Sequence, residues 1–344
     1  MSKGKVRIAR LTDLAAMGEL SRLCQEEAAG TRSLGLPVNA ARIGLFSLFR
    51  MPLGAFRPHD VLYVFEEDGR IAGLLRAERE GPRDEWTVVE LDGVGVAEAG
   101  DIRFRLIQQL LRDGARAGVG RFHVACADED GNVELFMQAG FARYGEERVM
   151  FRPSGADLPA PWDDARAAEH GIREALPVDA LAMHRLYAAV TPQPVQRLEL
   201  VRPVDWERQG HHWRVPRSSL APILRFADVE AFVRATDDGD GARVDAFVQV
   251  GVAKEDQPHY LKIVADPSRD VSDLIDFGLG VIAARAGTPA RQVHGVIAPV
   301  RTYDSPIDRR LEDAGFEEIA TVTLMLKETL VRVAEPALVP AIGR

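Results

Sequence analysis

Few residues in this 344-residue chain are of a type, and in a setting, to move protons or bind anions. Glu90 and Asp92 alternate within the apolar run from Trp86 to Val96. A carboxylate carried into a cleft by such a strand rises toward the near-neutral pKa of a general base. His259 opens a second apolar run, and Tyr303 and Asp304 stand upstream of a later helix. The plainer accounts are solvated strand-edge acids and a loop aromatic, and geometry has to separate them. Cys24 lies on the apolar stripe of a helix and Cys126 closes the run Phe122 to Ala125, so both read as small buried hydrophobes. No His or Cys spacing matches a metal site. The adjacent side chains of His211-His212-Trp213 diverge, which suits a surface or substrate-facing loop better than a ligand set.

The elements that must position these residues occur twice. Val6-Arg7-Ile8-Ala9, with Asp13, Ala16 and Met17, is answered 166 positions later by Ile172-Arg173-Glu174-Ala175, with Asp179, Ala182 and Met183. Gln138-Ala139-Gly140-Phe141 is answered 175 positions later by Asp313-Ala314-Gly315-Phe316. Offsets of this size mark duplicated domains, since solenoid repeats run about 20–50 residues. The expected units are 1–152 and 171–333, joined by a Pro-containing linker at 153–170 and followed by a tail at 334–344.

Within unit one the pattern predicts a strand over Lys5–Arg10 and a helix with Leu14, Met17, Leu20, Leu23 and Cys24 on one stripe. A second helix follows over 40–51. A hairpin turns at Glu67-Asp68-Gly69, and Trp86 to Val96 is a central strand. A helix over 101–117, a strand over 121–126, a helix over 132–139 and a strand over 142–151 complete the unit. Unit two offers strands over 230–235, 243–250, 260–264, 292–297 and 319–327, with helices over 272–286 and 308–314. The order β-α-α-β-β-β-α-β-α-β implies an α/β fold with a mixed sheet and helices on its faces.

Composition narrows the function. Hydrophobic residues at 46% and charged ones at 28% suit a globular chain, and a net charge of -9 argues against a general nucleic-acid partner. Of 43 basic residues 38 are arginine, which suits bidentate phosphate contacts or reflects genome composition. No apolar run reaches the roughly 18–20 residues needed to span a bilayer, and no signal peptide is seen. These readings place the chain in the cytoplasm, with no membrane partner.

Element order, the opening Arg-x-Ala…Asp phrase and the closing Ala-Gly-Phe together resemble the GNAT acetyltransferase superfamily in both units. The resemblance implies acetyl-CoA held between two splayed central strands, its diphosphate on amides of a glycine-rich turn and the following helix. In unit one it maps cofactor contacts to Val96, Gly100, Arg103 and Asn132, with Ile102, Phe104 and Leu106 where glycines belong. In unit two it maps them to Val264, Arg269, Asp270, Val271 and Ser272, and unit two is the expected binding half. The tyrosine that would protonate the departing thiolate is Phe136 in one unit and Leu311 in the other. His259, Tyr303 and Glu90 are therefore the expected catalytic set. The activity implied is acetyl transfer to an amine of a small molecule. The alternatives are a GNAT-fold binding or scaffold protein without catalysis and an aminoacyl-tRNA-dependent transferase, the latter disfavoured by the acidic charge.

Overall fold

A computed structural model describes residues 4–27, 60–80, 84–94, 99–128, 131–153, 158–207, 217–220, 223–224, 226–237, 242–253, 257–286 and 294–329. The helix expected over 40–51, the His211-His212-Trp213 cluster, Val96 and the tail at 334–344 lie outside the described residues. Unit one supplies strands β1 (Lys5–Ile8), β2 (Asp60–Glu67), β3 (Arg70–Glu80), β4 (Glu85–Gly93), β5 (Arg121–Ala127) and β6 (Ala142–Arg152). Unit two supplies β7 (Ile172–Glu174), β8 (Phe226–Asp237), β9 (Ala242–Ala253), β10 (His259–Ala265), β11 (Val296–Arg301) and β12 (Glu317–Glu328). Helices α1 (Leu14–Glu27), α2 (Ala99–Arg116) and α3 (Asn132–Gln138) belong to unit one, and α4 (Asp164–Glu169) lies in the expected linker. Helices α5 (Ala180–Val190), α6 (Gln193–Glu199), α7 (Pro203–Trp206), α8 (Ser272–Ala286) and α9 (Ser305–Asp313) belong to unit two. This is the expected mixed α/β class.

Both recurring phrases have a physical job. Asp13 accepts both terminal guanidinium nitrogens of Arg7, at 2.6 and 2.9 Å, and caps the backbone N–H of Arg10 at 2.6 Å. Asp179 does the same for Arg173, at 2.7 and 2.7 Å, and for the N–H of Leu176 at 2.8 Å. The paired arginine holds each carboxyl below the usual range. Each pair thus locks the first strand to the turn that starts the first helix. At the other end, α3 and α9 are closed by Gly140 and Gly315, at φ 88° and 83°. The next N–H, of Phe141 and Phe316, reaches back to the carbonyls of Phe136 and Leu311, each at 3.0 Å. This is the Schellman closure, which needs a left-handed residue and favours a buried hydrophobe after it. Phe141 and Phe316 are that hydrophobe, 4% and 2% exposed, and burying each contributes about 2 kcal/mol.

All twelve strands form one sheet, in the order β1-β2-β3-β4-β5-β12-β6-β11-β10-β9-β8-β7. The last strands of the two units have changed places. β12 pairs with β5 of unit one, β6 pairs with β11 of unit two, and β6 and β12 pair with each other at the centre. Period-two patterning cannot foresee this, because the two strands are equivalent and either fits either slot. β11 also begins four residues later than the expected strand at 292. It carries Pro299, which β11 tolerates because its pairing with β10 ends at Ile297 and leaves that edge without a ladder.

The parallel pairs diverge in both units, as the resemblance implies. β4 meets β5 only over Glu85–Val88, and β10 meets β11 only over His259–Tyr260. Helices α2 and α3 cover one face of unit one, α8 and α9 the matching face of unit two, and α1 and α5 the opposite faces. Over the central strands that opposite face is covered by Leu220, Ile223 and Leu224, which pack on Ala125, Val149, Ile297 and Leu324.

Candidate active site at the two strand splays

The splay of unit two is filled with charge. Lys262 on β10 donates from Nζ to the carbonyl of Arg217 at 2.9 Å and lies 3.8 Å from Glu147 Oε2. Arg301, ending β11, donates from Nη2 to Glu199 Oε1 at 2.6 Å and to the carbonyl of Arg217 at 2.8 Å. Its Nε stands 3.3 Å from Glu147 Oε2. Glu147 also accepts the N–H of Ser219 at 2.8 Å and its hydroxyl, and the Tyr187 hydroxyl donates to Glu199 Oε2 at 2.7 Å. Two cations and two anions interlock here, none more than 4% exposed, which offsets the cost of removing each from water. Burial lowers the Lys262 pKa. Burial also opposes the charge of Glu199, yet Arg301 and Tyr187 hold its carboxyl below the usual range. Asp304, just past β11, is pushed up to about 7 by burial despite the pull of Lys262 and Arg301. Burial raises the Tyr303 phenol as well.

The anion-binding end of α8 is occupied by the chain's own carboxylates. Asp270 Oδ1 accepts the N–H and hydroxyl of Ser272, at 3.3 and 3.0 Å, and Asp273 Oδ1 accepts the N–H of Leu274 at 2.9 Å. Arg234 holds the carbonyl of Asp270 at 2.8 Å and the carboxylate of Asp273 at 3.1 Å. The remaining void between Ala265, Arg269, Asp304 and Ile307 is about 10 Å³, barely one water.

Unit one is arranged differently. A cavity of about 30 Å³ lies at the apex of its splay, lined by Val88, Val89, His123, Ala125, Tyr144 and Arg217 among others. The β3–β4 register slips between Arg76 and Ala77, so Val89 is an extra residue bulged at that apex. Unit two has no such slip over the β9–β10 ladder. Further along β4, Arg76 Nε donates to Glu90 Oε2 at 3.0 Å, and Asp92 hydrogen-bonds Glu90. Burial, and then the Glu90 carboxylate, hold the Asp92 carboxyl well above the usual range. Across the opening, Arg103 on α2 donates from Nη1 to Asn132 Oδ1 at 2.7 Å, joining α2 to the start of α3.

No family model and no curated protein matches the sequence. Solved structures do match over nearly the whole chain. A tandem GNAT protein from the clavulanic acid biosynthesis pathway aligns with 95% of this chain and 98% of its own, at TM-score 0.57 and 12% identity. A GCN5-related N-acetyltransferase from Sphaerobacter thermophilus covers 94% and 95%, at TM-score 0.54 and 15% identity. The chain has a tandem GNAT fold. A putative acetyltransferase from Pyrococcus horikoshii adds a third match, covering 97% and 92% at TM-score 0.50 and 10% identity.

Set on this GNAT frame, the expected site residues separate. Arg103, Asn132 and Glu90 gather around the unit-one cleft, with Gly100 in the first turn of α2. Ile102 and Leu106, expected to crowd a phosphate there, are 3% and 0% exposed and turn into the core, where Ile102 packs on Gly73. The helix starts at Ala99, two residues earlier than expected, and this rotates their side chains onto the sheet. Phe104 is partly buried against the same core. In unit two, Val264 and Val271 are core residues, and the amides around Asp270 and Ser272 already serve carboxylates. Arg269 lies 3.6 Å from Asp245. That geometry runs against the expectation that unit two holds the diphosphate.

His259 is fully buried at the paired end of β10. Its Nδ1 accepts the N–H of Ala253 at 3.1 Å, which makes it a core histidine rather than a cleft base. Tyr303 stands beside the Glu199–Arg301 cluster. Sequence reasoning missed Glu147, Glu199, Arg217 and Arg301, and the one visible signal was Lys262, a charge in the middle of an apolar strand run. No group that could hold a metal ion occurs among the described residues, and no described helix is long and apolar enough to cross a membrane.

Proposed function

We propose that this protein is an acyl-CoA-dependent N-acyltransferase that works in the unit-one cleft and acetylates an amine of a small molecule. The observation that carries this reading is the asymmetry of the two splays. Unit one keeps an apex cavity beside a bulged Val89, whereas salt bridges fill unit two. A cavity of about 30 Å³ is on the scale of one or two waters, which suits an acetyl group better than a long acyl chain.

The unit-one residues fit acetyl-CoA. Arg103 and the first-turn amides of α2 would hold its diphosphate, since a helix start offers donors and a favourable dipole to an anion. Asn132 positions Arg103 for that contact. When bound, acetyl-CoA supplies an acyl group activated as a thioester. Burial and Glu90 disfavour ionisation of the Asp92 carboxyl and so favour a proton on it. The net charge of -9 favours a cationic amine as acceptor. Unit two then serves as the structural half, completing the sheet beside β5 with β12.

Titration calorimetry of the full chain with acetyl-CoA tests this, together with thiol release over a panel of small amines. Arg103→Ala is expected to weaken binding at least tenfold, and Arg269→Ala to leave it within about twofold, since a lost charge-assisted contact costs about 1.5–3 kcal/mol. Loss of binding in Arg269→Ala alone would move the site to unit two. Absence of binding and of thiol release in the native chain would favour the binding-module alternative.

A further inference from the structure

His123 is the residue in the apex cavity equipped to take a proton. It stands on β5, one residue before the last β4–β5 pair, and is 4% exposed. Its Nε2 lies 3.4 Å from Glu85 Oε2. Glu85 is fixed in turn by the guanidinium of Arg217, whose Nη1 also reaches Thr87 Oγ1 at 3.5 Å. The backbone of Arg217 is held from the other side, because its carbonyl accepts from both Lys262 and Arg301. The charge network of unit two thus anchors the acid that faces His123 in unit one. A carboxylate beside one imidazole nitrogen selects the tautomer with the proton there and leaves the lone pair on the other nitrogen.

From this geometry we infer that His123 is the general base of the unit-one cleft, oriented by Glu85 and Arg217. The inference rests on the reading of that cleft as an acyltransferase site. Glu90, the base expected from sequence, is engaged by Arg76 and Asp92 on the far side of the bulge. The acceptor ammonium gives one proton to His123 Nδ1. Its nitrogen pair forms the bond to the acyl carbon as the carbon–sulfur bond breaks, and the electron pair leaves on sulfur. A second amine proton ends on that sulfur, the third stays in the amide, and His123 returns its proton to solvent. The groups facing the imidazole are Glu85 on β4, Arg217 and, on β6, Tyr144, whose phenol burial pushes up to about 12. Arg121 on β5 approaches Glu85 at 3.9 Å.

The test uses the full chain in three measurements. In His123→Gln, kcat for thiol release is expected to fall about 10²–10⁴-fold with acetyl-CoA binding unchanged. In Glu85→Gln, the acid limb of the kcat profile is expected to move to lower pH, because loss of a nearby anion lowers an imidazolium pKa. Independently of activity, ¹⁵N histidine spectra should show an Nε2–H tautomer that disappears in His123→Gln. Full kcat with an unmoved profile in His123→Gln, or an Nδ1–H tautomer in the native chain, overturns the base alone. No heat with acetyl-CoA and no thiol release from the native chain overturn the reading of the cleft, and the base with it.

Discussion

Unit one and unit two share a fold and a strand order but treat the space between their diverging strands in opposite ways. In unit one the apex holds a cavity and a bulge, and the charged groups line its walls. In unit two the same space holds Lys262, Arg301 and Glu147, and carboxylates close the helix end that would meet an anion. On the proposed function, duplication was followed by division of labour: one splay serves chemistry while the other is a buried brace. The brace is not passive, since Arg217 couples it to Glu85 across the sheet.

The comparison breaks most visibly if the units are separated. Residues 1–152 would lose β12 from beside β5, and residues 158–344 would lose β6 from beside β11. Each fragment would expose a long apolar edge, so neither is expected to unfold cooperatively in urea alone. Co-expression should restore a 1:1 complex with native circular dichroism. A folded, monomeric 1–152 would show that the exchange is dispensable.

A smaller effect separates the two clefts by mutation. Glu147→Gln removes the anion shared by Arg301, Lys262 and Ser219, and is expected to cost about 3 kcal/mol or more. Asp92→Asn replaces a carboxyl whose ionisation burial and Glu90 already disfavour with a neutral near-isostere, and is expected to change stability by about 0.5 kcal/mol or less. Urea melts of both variants read the contrast directly, and equal costs would refute it.

A third contrast is a pH dependence confined to unit two. Burial raises Asp304 to about 7, so the folded chain binds its proton more tightly than the unfolded chain, where an Asp titrates near 3.9. Stability from this group is present in acid and is lost as pH rises through about 7, with a slope of at most about 1.4 kcal/mol per pH unit. Asp304→Asn should flatten that decline and match the native protein at low pH. Melting temperatures measured from pH 5 to 8 check the sign, and an unchanged slope would count against a buried Asp304.

The sequence by itself determined the features whose causes are local. The Arg7–Asp13 and Arg173–Asp179 clamps and the Gly-Phe helix endings span a few residues each, so their repetition was legible as a duplicated domain. The hairpins followed from the same patterning, and the two splays from the family resemblance. Only the tertiary structure decided which strand pairs with which, because β6 and β12 are equivalent in pattern and nothing local chooses between two suitable slots. It alone decided that Ile102 faces the core, since a helix start two residues earlier turns the side chains that follow by about 200°. It also decided which cleft stays open. Glu147, Glu199, Lys262, Arg217 and Arg301 are scattered over more than 150 residues, and their charges make sense only when the exchanged strands bring them within 4 Å of one another. Long-range electrostatic pairing in a dry interior has no sequence period, and for that reason the site was the part of this protein that the sequence left undecided.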